Sequence, residues 1–255
     1  MSRSIFKAFS GFHLGLIMIT SIVTNYTVLA PVKTAQNDPR DLPVLAVDLH
    51  DTVLERDNSI AIKEIIKAPV HGFKFIKRVI KYKKAKKNGR TKVSLEGYAT
   101  KNSRDPEFDQ MVAKTVSCFR PMPGAIGFLT KLKQAGYKIF VFSNIGPKSY
   151  ELLSQDYPEL FNLFDGQVIV KQSGITKNSP DAYKFCIKTV TENLGYTPKK
   201  IILYDNLQTN CDLAKQTDPL FDAVCCQSDS RKKLLKAQTK LVNMLESYSP
   251  KVGML

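Results

Sequence analysis

Val44-Leu45-Ala46-Val47 follows Pro43 and ends at an acid, in the stretch PVLAVDLHDTVL. Four apolar residues, two of them β-branched, are too few for a helix. Bounded by proline, they read as a strand buried on both faces, the kind found inside a parallel sheet. Past its carboxyl end come Asp48, His50, Asp51 and Thr52. Open α/β sheets keep their ligands at that edge. Taken alone, the stretch allows a second reading, in which Asp48 or Asp51 only caps a turn.

The same pattern recurs along the chain. Lys138–Phe142 is a second apolar run, ending in Ser143-Asn144. Gln167–Val170 is a third, and Ile201–Tyr204 a fourth, ending in Asp205-Asn206. Phe221–Cys225 reads as an edge strand. Helical segments alternate with the strands. One opens at Pro121-Met122-Pro123-Gly124 and stops at Gly136, and another covers Pro147–Leu153. Ser179-Pro180-Asp181 sets an N-cap, a proline in the first turn and an acid beside it, with Gly195 as the stop. Further helices cover Gln208–Lys215 and Ser230–Leu245. This alternation predicts an α/β fold, a doubly wound parallel sheet, with a small and mainly helical insertion.

The 255 residues suit one core domain, 43–56 and 119–247, with an insertion at 57–118. The insertion is predicted to hold a short helix ending at Pro69, an amphipathic helix over Gly72–Lys87, a strand at Thr91–Leu95 and a helix from Pro106 to Val116. Outside its apolar stripe the Gly72–Lys87 helix is nearly all Lys and Arg. That face is either simply solvated or a surface for anionic lipid or nucleic acid. No aromatic interleaving or nucleic-acid motif is present, so nucleic acid is not an expected partner.

The net charge of +15 draws the chain toward anionic partners, an anionic membrane surface among them. Residues 1–30 combine Arg3 and Lys7 with an apolar stretch over 11–30, as a cleaved export signal or a retained anchor does. The domain is therefore expected to be exported or membrane-anchored, with 31–42 as a proline-bearing linker. The five cysteines have no CxxC spacing, which favours buried thiols over zinc or a disulfide framework. Oligomeric state has no signature in the sequence.

In a parallel sheet the strand ends share one edge, which gathers Asp48, Ser143, Asp205 and, after the third strand, Lys177. Two carboxylates offer hard oxygen ligands of the kind Mg²⁺ takes together with substrate phosphate. Ser143 and Lys177 offer a donor and a positive charge for phosphoryl oxygens. A carboxylate can also be the nucleophile.

On these motifs the chain resembles the haloacid dehalogenase (HAD) superfamily of aspartate-nucleophile hydrolases, over roughly 43–227. The resemblance rests on Asp48-Leu49-His50-Asp51-Thr52, on FVFSN with Ser143, on KNSPDAY with Lys177, Pro180 and Tyr183, and on IILYDN with Asp205 and Asn206. It implies that Asp48 attacks phosphorus and binds Mg²⁺, with the His50 carbonyl, Asp205 and Asn206 completing the metal site. It implies that Thr52 supports the loop and that Ser143, Asn144 and Lys177 hold a small phosphorylated substrate. The insertion falls where that family places a cap over the site.

Two positions depart from the family pattern. His50 stands where its phosphatases carry an acid/base aspartate, and Asn206 where they carry a second metal-site acid. Imidazole can do acid–base work near neutrality. Asp51 is a neighbouring acid, but adjacent residues point in different directions. The expected function is a Mg²⁺-dependent phosphomonoester phosphatase. The alternatives are other HAD chemistry, such as phosphoryl transfer, dehalogenation or C–P cleavage, and a catalytically weak scaffold with a binding role at a membrane.

Overall fold

Alternating apolar side chains on each buried run face opposite sides of one sheet, so helices must cover both. In the computed structural model, which describes residues 39–88, 90, 95–226 and 231–248, this is the arrangement found. The central strands are β1 (Val44–Val47), β4 (Ile139–Ser143), β5 (Gly166–Ile169), β6 (Ile201–Asp205) and β7 (Phe221–Cys225). Their order is β5-β4-β1-β6-β7, and every pairing is parallel. Leu45, Val47, Ile139, Val141, Ile202 and Tyr204 feed one apolar layer. Val44, Ala46, Phe140, Phe142, Ile201 and Leu203 feed the other. A sheet buried on both faces needs continuous apolar strands, as these are.

The covering helices are α5 (Ala125–Gln134), α6 (Pro147–Asp156), α7 (Pro158–Phe161), α8 (Pro180–Leu194), α9 (Gln208–Thr217) and α10 (Arg231–Tyr248). Helix α8 starts where the sequence places it, with Ser179 Oγ accepting from the Asp181 N–H, and ends on Gly195 at φ 75°. Helix α5 begins later than expected. Gly124 adopts φ 85°, and the two prolines before it lie in a short strand, Phe119–Pro121, and in a turn. The β4–β5 edge is fastened by Asp165. Its carboxylate accepts from Lys133 Nζ at 2.7 Å, Lys138 Nζ at 3.1 Å and the Ile139 N–H at 2.8 Å.

The chain leaves β1 toward β4 and β5, then returns to the opposite side of β1 for β6 and β7. The crevice at this reversal lies between the carboxyl ends of β1 and β6. It is flanked by Asp48 and Asp205.

Between β1 and α5 stands the insertion. A short antiparallel ribbon, β2 (Leu54–Arg56) with β3 (Phe119–Pro121), brackets it. Inside are α1 (Asn58–Lys67), α2 (Pro69–Lys87), α3 (Leu95–Thr100) and α4 (Pro106–Val116). These helices share a small core of their own, formed by Phe75, Ala99, Phe108, Met111 and Val112. Capping follows the sequence: Asp57 accepts from the Ser59 N–H, and Asp105 from the Phe108 N–H. The strand expected at Thr91–Leu95 is not supported where it can be seen. Residues 91–94 lie outside the described residues, and Leu95 opens α3. Packing decides this, since Ala99 is fully buried against the insertion core.

All five cysteines are free thiols, and four of them are buried. The expected leader or anchor at 1–30 lies outside the described residues, as does the linker up to residue 38. Among the described residues no helix is long and apolar enough to cross a membrane.

Candidate active site

The β1–β6 pairing extends one residue beyond β1, where the Asp48 N–H donates to Tyr204 O at 2.9 Å. The chain then turns tightly, with Leu49 O accepting from the N–H groups of Val53 (3.1 Å) and Leu54 (2.8 Å). Asp51 makes this turn in the left-handed region, φ 54°, which aspartate tolerates better than most residues. Its side chain is exposed, so it does not join the site. Thr52 is buried, and its hydroxyl approaches His50 O at 3.4 Å, on the loop the resemblance has it support.

Lys177 is the hub. It is fully buried, and its ammonium donates to Asp48 Oδ1 at 2.7 Å, Asp205 Oδ2 at 2.5 Å and Phe142 O at 2.9 Å. An ammonium has three hydrogens, so every one is matched. Strands β1, β4 and β6 thus meet on one nitrogen carried by the segment after β5. The backbone of Lys177 is held as well. Its N–H donates to Asn144 Oδ1 at 3.0 Å, and the Tyr183 hydroxyl lies 3.0 Å from its carbonyl oxygen. The spacing Lys177–Pro180–Tyr183 therefore has a physical use: the first turn of α8 folds the tyrosine back onto the lysine. Ser143 is completely buried at the end of β4, its Oγ accepting from the Ile145 N–H at 3.3 Å.

Asp205 is gripped from the far side. Its Oδ1 accepts from the Leu207 N–H at 2.9 Å, and both its oxygens accept from Asn210 Nδ2, at 3.0 and 3.1 Å. Asn210 escaped the sequence reading, because a polar residue in a helix after a strand looks like any solvated position. Asn206, the expected second metal position, is half-buried, and its carbonyl accepts from Cys225 Sγ at 3.5 Å.

The electrostatics follow from burial. Asp48 is pushed up to about 6, chiefly by loss of water; Lys177 opposes the shift and Asp205 adds to it. Burial alone would lower the Lys177 ammonium, but the two carboxylates overcome that and raise it. His50 behaves differently. Its ring stacks on Phe119 with centroids 4.3 Å apart, and its Nε2 is buried with no hydrogen-bond partner. Burial first, then the cations Lys177, Lys171 and Arg56, push the imidazole down to about 4. At neutral pH it is therefore uncharged.

The donor set suits Mg²⁺. It is all hard oxygen: two carboxylates facing a single ammonium, and a His50 carbonyl that Thr52 Oγ1 approaches only at 3.4 Å. Among the described residues no group of three His, Cys, Asp or Glu side chains is arranged for a metal. A site of two carboxylates finished by substrate oxygens is the Mg²⁺ pattern. The ion would share the two carboxylates with Lys177.

Comparison with known proteins agrees with this architecture. A family model for haloacid dehalogenase-like hydrolases matches residues 43–205. No curated protein matches the chain by sequence. Among solved structures, the HAD family enzyme BT-2542 of Bacteroides thetaiotaomicron is similar, with a TM-score of 0.55 and 15% identity over 76% of this chain and 98% of that one. The same wild-type enzyme in complex with magnesium and inorganic phosphate gives a TM-score of 0.51 at 15% identity, over 74% of this chain and 96% of that one. The L-2-haloacid dehalogenase of Xanthobacter autotrophicus gives 0.52 at 18% identity, over 81% of this chain and 87% of that one.

Proposed function

The chain belongs to the haloacid dehalogenase-like hydrolase family, and on that premise we propose that it hydrolyses small phosphate monoesters through an aspartyl-phosphate on Asp48. One observation carries the reading: a single buried lysine joins two carboxylates at the crevice where the strand order reverses. A scaffold kept only for binding has no use for so costly a burial.

Asp48 is the nucleophile. Its oxygen forms the bond to phosphorus as the ester oxygen leaves. Lys177 lowers the repulsion between this carboxylate and an incoming phosphate dianion, and its contact with Phe142 O keeps it in place. Ser143 and Asn144 close the β4 side of the pocket. Asp48, Asp205, the His50 carbonyl and Asn206 would hold Mg²⁺, which when bound supplies positive charge for the phosphoryl oxygens. Neutral His50 has no acidic proton to give at neutral pH, and the burial and cations that keep it neutral also weaken it as a base. Of the two acid/base duties only the second is left to it, taking a proton from the water that attacks the phosphoryl-aspartate, and with a pKa of about 4 it does so as a weak base. Substrates whose leaving oxygen needs no protonation should be preferred. The α1–α4 insertion covers the site and selects the organic part of the substrate.

A second reading has an observation of its own. Displacing a halide requires no proton donor, and the position two residues past Asp48 holds a neutral imidazole. Asp48 could then attack a carbon bearing halogen, releasing halide and leaving an ester for water to cleave.

One assay separates these readings. The full chain is given an aryl phosphate and, separately, a 2-haloacid, each with and without Mg²⁺, beside Asp48→Asn. Mg²⁺-dependent phosphate release, abolished in the variant, supports the phosphatase. Metal-independent halide release supports the second reading, and neither product contradicts both.

The amino-terminal segment 11–30 and the location it implies, exported or membrane-anchored, stand as part of the proposal. They rest on its composition.

A further inference from the structure

The amphipathic character of α2 has an unusual outcome. Its inner face packs Gly72 and Phe75 into the insertion. Its outer face is also apolar: Phe73 is 62% exposed and Ile80 63%, with Val70 and Ile76 beside them at helical spacing. Ile62 and Ile66 on α1 are exposed too. These six make up most of the eight large hydrophobic side chains exposed among the described residues. Exposed apolar groups concentrated in this way mark an interaction surface.

Charge tells what the surface meets. Helix α2 carries eight Lys and Arg and no acid. Arg78 is used internally, on the carbonyls of Ala99 and Lys101, and Lys74 lies against Asp105 and Phe108. Lys77, Lys81, Lys83 and Lys84 are exposed around the apolar stripe, with the Lys77 ammonium 4.3 Å from the centre of the Phe73 ring.

We propose that the outer face of α1–α2 is a docking surface for anionic lipid bilayers, lying in the interface with Phe73, Ile76 and Ile80 among the acyl chains and the lysines at the headgroups. Aliphatic branches sink into lipid, and long lysine stems let the ammonium reach outward. Self-association would bring two such basic faces together against their charge. Nucleic acid would leave Val70, Ile76 and Ile80 with nothing to stack on. This surface is independent of the reaction at Asp48 and of residues 11–30.

The chain has no Trp, so one introduced Trp is an unambiguous reporter. Phe73→Trp in the full chain is mixed with phosphatidylcholine vesicles, with or without phosphatidylserine and brominated acyl chains. Leu235→Trp on α10, also exposed, is the control. The expected result is a blue shift and bromine quenching at position 73 only, with phosphatidylserine present and weakened by high salt. Adding Lys77→Glu, Lys81→Glu and Lys84→Glu should weaken binding on the order of a hundredfold, from the loss of headgroup attraction at each lysine. Four results would each overturn the proposal: equal response to neutral vesicles, equal response at position 235, a response to RNA or to protein concentration in place of vesicles, or a reporter at position 73 already blue-shifted and indifferent to vesicles.

Discussion

The His50 and Phe119 rings stack with centroids 4.3 Å apart and planes 25° from parallel. His50 lies two residues past Asp48, and Phe119 opens β3, where the chain re-enters the core from the insertion. The contact ties the loop after β1 to the ribbon that brackets the insertion. Phe119→Ala should restore water to the imidazole and move its pKa up from about 4 toward the ordinary 6.5. An NMR titration can follow this, since the chain has only three histidines. The sign for stability also follows. Folded His50 holds its proton less tightly than the unfolded chain does, so stability rises with pH between about 4 and 6.5. The slope in that window should flatten in the variant. An unchanged titration would mean the stack does not set the pKa.

Lys177 should be needed for stability as well as for chemistry. Lys177→Met leaves two buried carboxylates facing each other and should cost about 3–5 kcal/mol by denaturant unfolding. Adding Asp48→Asn removes one of the charges and should recover part of that loss. Strict additivity of the two substitutions would contradict the coupling between these side chains.

Asp165 makes a pH prediction of opposite chemistry. Burial raises its carboxyl, but hydrogen bonds from Lys133, the Ile139 N–H and Lys138 outweigh it, and the net shift is downward. The stabilisation is present above the unfolded value near 3.8 and disappears as pH falls through the lower folded value. Asp165→Asn should therefore be less stable than the parent at neutral pH and converge with it in strong acid. A gap independent of pH would argue that packing, not charge, explains the residue.

The cap also touches the core directly. Ser149 Oγ, in the first turn of α6, donates to Glu96 Oε2 of α3 at 2.7 Å. Glu96→Ala should raise amide exchange in the first turn of α6 and in α3 while leaving the unfolding midpoint nearly unchanged. Unaltered exchange would show that other contacts hold the cap.

These tests rest on features of unequal visibility in the sequence. Asp48, Ser143, Lys177 and Asp205 could be read because each ends or follows a short, wholly apolar run, and a parallel sheet must bring such ends together. The β2–β3 ribbon could not, since Leu54-Glu55-Arg56 and Phe119-Arg120-Pro121 carry one clear apolar residue each. Phe119 lies far from His50 in sequence, so no local spacing announces their stack. Asn210 is hidden for a similar reason: only the fold shows that its amide points at Asp205. Leu95–Thr100 includes Gly97, a poor helix former, and its helix is supported by burial of Ala99 in the same small core as Phe75 and Phe108. The neutral state of His50 comes first from its burial, against the Phe119 ring among other groups, and then from three cations, of which Lys171 and Lys177 are far from it in sequence.

The most direct test of the nucleophile is to trap it. The full chain is mixed with an aryl phosphate and Mg²⁺, quenched in acid within the first turnover, and its peptides are weighed. A phosphoryl group is expected on the peptide containing Asp48, absent in Asp48→Asn and longer-lived in His50→Ala. A folded protein that releases phosphate with no adduct on Asp48, or with the same release in Asp48→Asn, would contradict the assignment of Asp48 as nucleophile.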